Sequence, residues 1–276
     1  MEVKVLLTND DGFYAEGLQT LFRYLNQVTE VTIVAPDRER SAVGHGITMN
    51  HPLRVTTVTL AESQRRAHWI VDGTPADCVK IALDVLLKEH QPGLVISGLN
   101  HGANMGNDVL YSGTVSAALE GSMYRIPAIA ASLVDYGQSD FNPAAAFIAL
   151  NLKQLALAAQ NNVLNLNFPK LSDDAMATQI PRSYAGVRYT RLGRRVYENV
   201  FEERRDPRGR IYYWMGGEAL GCEQQPDSDI FAVEHNFISI TPLQSDLTNF
   251  EALKSNPGNA ETNKFFGFNI NNEVTS

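Results

Sequence analysis

Two acidic side chains stand side by side at Asp10 and Asp11, in the stretch Thr8-Asn9-Asp10-Asp11-Gly12 that follows an apolar run. Adjacent carboxylates are costly unless a cation neutralises them or one keeps its proton. Oxygen donors surround them in sequence, whereas the chain holds only 2 Cys and 6 scattered His. That donor set suits a hard divalent ion, Mg²⁺ or Mn²⁺. A plainer role is open too, a turn before a helix with one Asp as its N-cap. The second candidate is Tyr111-Ser112-Gly113-Thr114, ahead of a segment where Val115, Ala118, Leu119 and Ser122 keep helical spacing. A helix N-terminus with hydroxyl residues and a Gly offers N–H groups to an anion such as phosphate. The same residues also serve as ordinary caps. Together, a cation on one side of a phosphoryl group and a helix end on the other suit hydrolysis of a phosphate ester by metal-activated water attack.

These residues must be positioned by strands. Val3 to Leu7, Val31 to Ala35, Leu94 to Ser97, Ala128 to Ser132 and Val163 to Phe168 are short and mostly apolar, as strands covered on both faces are. Helical stripes alternate with them: Leu18, Leu21, Phe22 and Leu25; Val79, Ala82, Leu83 and Leu86; and Ile148, Leu152, Leu155 and Ala159 in a helix opened by Pro143. Leu53 to Leu60 and His68 to Val71 read as an inserted β pair. The pattern predicts an α/β fold, a mostly parallel sheet flanked by helices. Each polar cluster then falls at or near the C-terminal end of a strand, the edge where open α/β sheets bind ligands. Besides Thr8 to Gly12, these clusters are Ala35 to Ser41, Asp72 to Asp77 and the long loop Ser97 to Asp108.

Other chemistries are disfavoured. No Gly-x-x-x-x-Gly-Lys-Ser/Thr, Gly-x-Gly-x-x-Gly, Gly-x-Ser-x-Gly or His-Glu-x-x-His occurs. An aspartyl-phosphate mechanism expects Asp-x-Asp after the first strand, where this chain has Asn9-x-Asp11. A formal net charge of −8 argues against a protein that coats nucleic acid or an anionic membrane. With no disulfide framework, signal peptide or long apolar span, the expectation is a soluble cytoplasmic protein. His45 and His101 lie in or beside the candidate loops, available to contact a phosphate or protonate a leaving group.

After about Leu171 the character changes to Gly, Pro and Arg-rich stretches around β-like pieces, Val196 to Phe201, Ile211 to Trp214 and Ile238 to Ile240. Residues 182–210 hold nine Arg against four acidic residues, read as a solvated or interfacial hairpin with a phosphate-attracting patch as the alternative. The division expected is a catalytic region at 1–171 and a C-terminal β-rich extended arm for oligomerisation at 172–276, its final strands packing back on the core or a partner. The polar tail from Asn256 is expected to fray or to pack on a neighbouring subunit.

Taken in order, Thr8 to Gly12, Ala35 to Ser41, Asp72 to Asp77, Ser97 to Asn104 and Tyr111 to Ala118 resemble the motifs of the SurE family, the stationary-phase survival nucleotidases. Asn165 to Pro169, Thr190 to Arg195 and Ile238 to Leu243 are similar to it as well, so the resemblance spans roughly residues 3–245. It implies a metal-dependent 5′-nucleotidase acting on nucleoside 5′- and 3′-monophosphates, with short polyphosphate as a further substrate. By position-wise matching it places one divalent cation on Asp10, Asp11, Ser41 and Asn100, with Asp10 and Asp11 also catalytic. It places Asn9, Asn104, Ser112, Gly113 and Thr114 around the phosphate. It further implies a Rossmann-like domain followed by an extended C-terminal arm that exchanges between subunits, building a homodimer or homotetramer. Two departures stand out: Asn107-Asp108 where the family more often carries two Asp, and Ala42-Val43-Gly44-His45 where small polar residues are usual. From a different class, the alternative is a non-catalytic nucleotide-binding sensor or scaffold that uses the same site only to bind.

Overall fold

The computed structural model describes residues 3–61, 66–135, 137, 140–160, 162–171, 183–198, 201–216, 218–222 and 225–255, with backbone alone at 196–198 and 218–222. The tail from Asn256, and Arg182 of the Arg-rich stretch, lie outside these residues. Two units divide the chain, Met1–Leu243 and Gln244–Ser276.

The first unit is built on a nine-stranded sheet. Its strands are β1 (Val5–Thr8), β2 (Val31–Pro36), β3 (Val55–Thr59), β4 (Ala67–Val71), β5 (Leu94–His101), β6 (Ala128–Val134), β7 (Val163–Pro169), β8 (Gly186–Tyr189) and β13 (Phe237–Leu243), in the order β3-β4-β2-β1-β5-β6-β7-β13-β8. From β4 through β7 every neighbour is parallel, while β3 on β4 and β13 on β7 are antiparallel. The chain runs from β1 outward to β2 on one side and returns to β5 on the other. That reversal opens a crevice beyond the carboxyl ends of β1 and β5.

Alternation along the strands divides the core in two. Val5, Leu7, Ile33 and Ile96 face α1 (Glu16–Leu25), α4 (Asn142–Leu150) and α5 (Leu152–Ala158), whereas Leu6, Val34, Val95 and Val163 face α2 (Pro75–Ile81) and α3 (Gly113–Met123). The stripe of α1 is fully sequestered: Leu18, Leu21, Phe22 and Leu25 are each no more than 1% exposed. Burying each such side chain contributes roughly 1.5–3 kcal/mol against unfolding.

Two expected helices are interrupted. The stripe opened by Pro143 divides at Asn151, whose side-chain Nδ2 donates to the Phe147 carbonyl at 2.8 Å, beside the residue's own backbone N–H. A side-chain amide that competes for an i−4 carbonyl disfavours uninterrupted helix. The stripe from Val79 to Leu86 continues past α2 as a π-helical turn, Ala82–Leu86, closed by Leu87 N–H on the Ala82 carbonyl.

Beyond the sheet, the stretch expected as one strand at Val196 to Phe201 belongs to two ribbons. β9 (Arg195–Glu198) pairs with β12 (Glu218–Cys222), and β10 (Phe201–Arg205) forms an antiparallel hairpin with β11 (Ile211–Met215). The hairpin's arginines face acidic neighbours: Arg204 pairs with Glu202, Arg205 with Glu203 and Arg210 with the half-buried Asp206. Short α6 (Asp229–Glu234) leads into β13. In the second unit, α7 (Phe250–Ser255) is capped by Asn249, whose Oδ1 accepts from Ala252 N–H at 2.9 Å. Among the described residues no helix is long and apolar enough to cross a membrane.

Candidate active site

The turn after β1 is locked by its own first residue. Asn9 is buried, with Nδ2 donating to the Gly12 carbonyl at 2.9 Å and Oδ1 accepting Gly12 N–H at 3.2 Å. Gly12 has φ +102°, and a Cβ there would stand 3.1 Å from the Arg38 backbone, so the turn and the loop after β2 close against each other only with glycine. Arg40 N–H donates to the Asp10 carbonyl at 2.7 Å from that same loop.

The two carboxylates then diverge. Asp10 is 5% exposed and turns to α3, accepting the Thr114 hydroxyl at 2.5 Å and, on the helix's first turn, the Thr114 backbone N–H. Gly113 makes the approach possible, because a Cβ on it would lie 2.8 Å from both Cβ and Oδ2 of Asp10. Ser112 caps α3, its Oγ accepting from Val115 N–H at 3.1 Å. Asp11 instead borders a cavity of about 580 Å³ with Glu16, Glu39, His101, Gly137 and Phe141, and its Oδ2 accepts His101 N–H at 3.3 Å.

Burial pushes the Asp10 carboxyl up from the usual carboxylate range, against its hydrogen bonds to Thr114, and Glu39 adds to the rise. Asp11 is pushed up to about 7, first by burial and then by the charge of Asp10. Nothing in the spacing marks Glu39 as part of this group, since it sits among Asp37, Arg38 and Arg40 in what reads as a charged turn. Its carboxylate accepts the Ser41 hydroxyl at 2.7 Å, which leaves the Ser41 oxygen lone pairs for a further partner. Asn100 lies on β5 beside a break in register, Nδ2 donating to the Gly102 carbonyl at 2.8 Å and Oδ1 left to accept.

The remaining candidates fall at different depths. Asn104 is held from the sheet side, its backbone N–H and carbonyl bonded by Asn165 and Asn167 and one N–H of its Nδ2 given to Ser132 Oγ. His101 places its ring edge-on to Phe141 in the cavity wall. His45 is held away by Glu120 on α3, at 2.9 Å, alongside Lys80. Asn107 and Asp108 both engage Arg195, through its backbone N–H at 2.9 Å and its guanidinium at 3.1 Å.

Among the described residues no three His, Cys, Asp or Glu gather as a metal group. A cation must therefore draw on hydroxyl and amide oxygens beside the carboxylates. The oxygens of Asp10, Asp11, Ser41 and Asn100 fit a hard divalent ion. Two carboxylates whose charge is disfavoured also gain from positive charge between them.

Residues 5–199 match the family model described as Survival protein SurE. "5′-nucleotidase SurE" of Alkaliphilus metalliredigens is 46% identical over 258 residues, covering 91% of this chain and 96% of that protein. The protein of the same name from Moorella thermoacetica is 51% identical over 249 residues, 89% of this chain and 92% of its own. The crystal structure of the SurE protein from Aquifex aeolicus superposes with a TM-score of 0.76 at 36% identity, covering 91% and 97% of the two chains. A crevice at the β1/β5 reversal, lined by the motifs that these matches span, thus goes with sequence identity over nine-tenths of the chain, and the chain belongs to the SurE family.

Proposed function

We propose that this chain is a 5′-nucleotidase, hydrolysing the phosphate monoester of nucleoside 5′-monophosphates, with 3′-monophosphates and short polyphosphate as further substrates. The observation that carries the reading is the meeting of Asp10, next to Asp11 on the cavity wall, with the N-terminus of α3, closed to van der Waals contact through Gly113. The relatives' name, 5′-nucleotidase, supplies the substrate class. One divalent cation, Mg²⁺ or Mn²⁺, held by Asp10, Asp11, Ser41 and Asn100, supplies Lewis-acid polarisation of the phosphoryl group and acidifies water.

The chain's own groups do the rest. Asn9 fixes the turn that presents the carboxylates. Asp11 Oδ2 is taken by His101 N–H, so Oδ1 accepts a proton of the attacking water and aims its lone pair at phosphorus. Gly113 N–H, the Ser112 hydroxyl and the second N–H of Asn104 stabilise the equatorial oxygens as charge spreads over them, while Thr114 gives its hydroxyl and N–H to Asp10 and holds it beside the phosphate. The 580 Å³ cavity beside Asp11 has room for the nucleoside. Residues 1–171 would carry this chemistry in the cytoplasm, and residues 172–276, with the exposed Tyr212, Tyr213, Trp214 and Met215 of the hairpin, would assemble a homodimer or homotetramer.

The test is phosphate release from a panel of nucleoside 5′- and 3′-monophosphates with Mg²⁺, with Mn²⁺ and with chelator, beside Asp11→Asn. Cation-dependent release that the variant lacks supports the reading. A folded wild-type protein that binds nucleotide and releases no phosphate under any cation is a sensor, and the reading is then wrong.

A further inference from the structure

β7 breaks the rule for a central strand. All seven of its residues are buried, yet the run Val-Leu-Asn-Leu-Asn-Phe-Pro places Asn165 and Asn167 in it, both 0% exposed, where β-branched and apolar residues are favoured. Two positions apart, they point to the same face, the one that carries Val163 toward α3. A buried amide without partners is expensive, so the contacts that repay it are informative.

Both amides converge on one residue. Asn167 Oδ1 accepts Asn104 N–H at 2.9 Å and its Nδ2 donates to the Asn104 carbonyl at 3.0 Å, so one side chain pairs with that residue as a neighbouring strand would. Asn165 Nδ2 donates to the same carbonyl at 2.8 Å. Asn104 Nδ2 in turn donates to Ser132 Oγ on β6 at 2.8 Å. The loop Gly102–Met105 has no ladder of its own at this point, and the side chains of β6 and β7 stand in for one. It runs directly into the 3-10 turn Gly106–Tyr111 and Ser112, the cap of α3.

We infer that Asn165 and Asn167 are positioning residues for the reaction, clamping the Asn104 backbone so that its side chain and the following path into α3 meet the phosphoryl group in register. The inference rests on the nucleotidase reading for its catalytic consequence and on geometry alone for the clamp. Asn167→Leu removes both bonds to Asn104, and Asn167→Asp, nearly isosteric, replaces the donor with an oxygen facing the Asn104 carbonyl. A displacement of about 1 Å at a reacting group costs on the order of 100-fold in rate.

The experiment compares wild type, Asn167→Leu, Asn167→Asp and, as a remote buried polar control, Thr29→Val, which loses its hydroxyl bond to the Val3 carbonyl at the far edge of the sheet. Steady-state kinetics with a nucleoside 5′-monophosphate are read together with amide hydrogen exchange over residues 102–108. Expected are a kcat at least 10-fold lower in both Asn167 variants with KM changed less than threefold, faster exchange confined to 102–108, and no change in kcat for Thr29→Val. Wild-type kcat or unchanged exchange in the Asn167 variants overturns the inference, as does an equal loss in Thr29→Val. If the wild type releases no phosphate, the nucleotidase reading has failed, and the exchange measurement alone decides the clamp.

Discussion

Gly113→Ala sets two effects of opposite sign against each other. Helix propensity favours alanine by about 1 kcal/mol, and Gly113 opens α3 without a left-handed backbone, so local preference alone predicts a gain. The packing predicts a loss. The new Cβ would lie 2.8 Å from Cβ and Oδ2 of Asp10, against about 3.5–4.0 Å for carbons in contact, so α3 or Asp10 must yield by about 0.7 Å or more. Asp10 has nowhere to go, with Thr114 on its carboxylate and Arg40 N–H on its carbonyl. Overpacking of this kind costs typically about 1–3 kcal/mol, so packing wins and the net is about 1 kcal/mol of destabilisation. The same shift moves the carboxylate relative to the helix end, and kcat is expected to fall by about 100-fold. Thermal melts and phosphate release measure the two consequences. Gly216→Ala is the control, since nothing stands within 4 Å of a Cβ there. A Gly113→Ala protein that melts at or above the wild-type temperature with undiminished kcat would refute the reasoning, because it would mean that Asp10 and α3 do not meet as described.

Millimolar Mg²⁺ or Mn²⁺ is expected to raise the melting temperature of the wild type and not that of Asp11→Asn, by binding linkage, with calorimetry as the check. His68 is buried and neutral, Nδ1 accepting Ile33 N–H at 3.0 Å, and burial, aided by Arg66, lowers its pKa to about 4. Because the folded value lies below the unfolded one, its contribution is present above pH 6.5 and is lost as pH falls toward 4; about 2 kcal/mol has gone by pH 5. Urea titrations should show that extra loss in the wild type and not in His68→Asn, whose Oδ1 keeps the acceptor. Equal slopes in the two proteins would rule it out. Trp214→Ser with Tyr213→Ser, exposed on the two opposite faces of the hairpin, is expected to lower the assembly state in analytical ultracentrifugation while leaving the monomer folded.

The parts of the fold governed by periodicity could be read from the chain. Strands β1, β2, β5, β6 and β7, the inserted pair β3 and β4, and α1 and α3 all lie where short apolar runs and i, i+3, i+4, i+7 stripes put them. What periodicity does not encode is competition by a single side chain. Asn151 divides a helix whose apolar stripe runs through it unbroken, because its amide takes a carbonyl that the helix would use. The site shows the same division. Asp10, Asp11, Ser112, Gly113 and Thr114 announce themselves by residue type at strand and helix ends. Glu39 does not, since its membership depends on how the loop after β2 folds over Gly12, a tertiary contact with no local signature. Asn165 and Asn167 carried a signal in plain view, two amides inside an apolar strand. Their target, Asn104, is about sixty residues away and visible only once β7 is in the sheet.

A helix N-terminus is an anion site, but the hydroxyl and amide of Thr114 are already given to Asp10, so α3 has only part of its capacity left for a phosphate. The cavity beside it is lined by Asp11, Glu16 and Glu39. A unit charge on phosphate at about 8 Å from one carboxylate, at an effective dielectric near 20, is opposed by about 2 kcal/mol, a factor of about 30 in affinity. Glu16, Glu39 and a partly ionised Asp11 against a dianion exceed anything that Gly113 N–H, the Ser112 hydroxyl and an Asn104 amide return. Nucleotide entry should therefore be ordered, with the divalent cation required first. Calorimetric titration of the protein with a nucleoside 5′-monophosphate is expected to show at least 30-fold weaker binding in chelator than in Mg²⁺. The chelator deficit should shrink in Glu39→Gln, which removes one opposing charge from the cavity wall. Equal affinity with and without the cation would show that the helix end holds the phosphate unaided, and that Asp10 does not occupy it as the geometry requires.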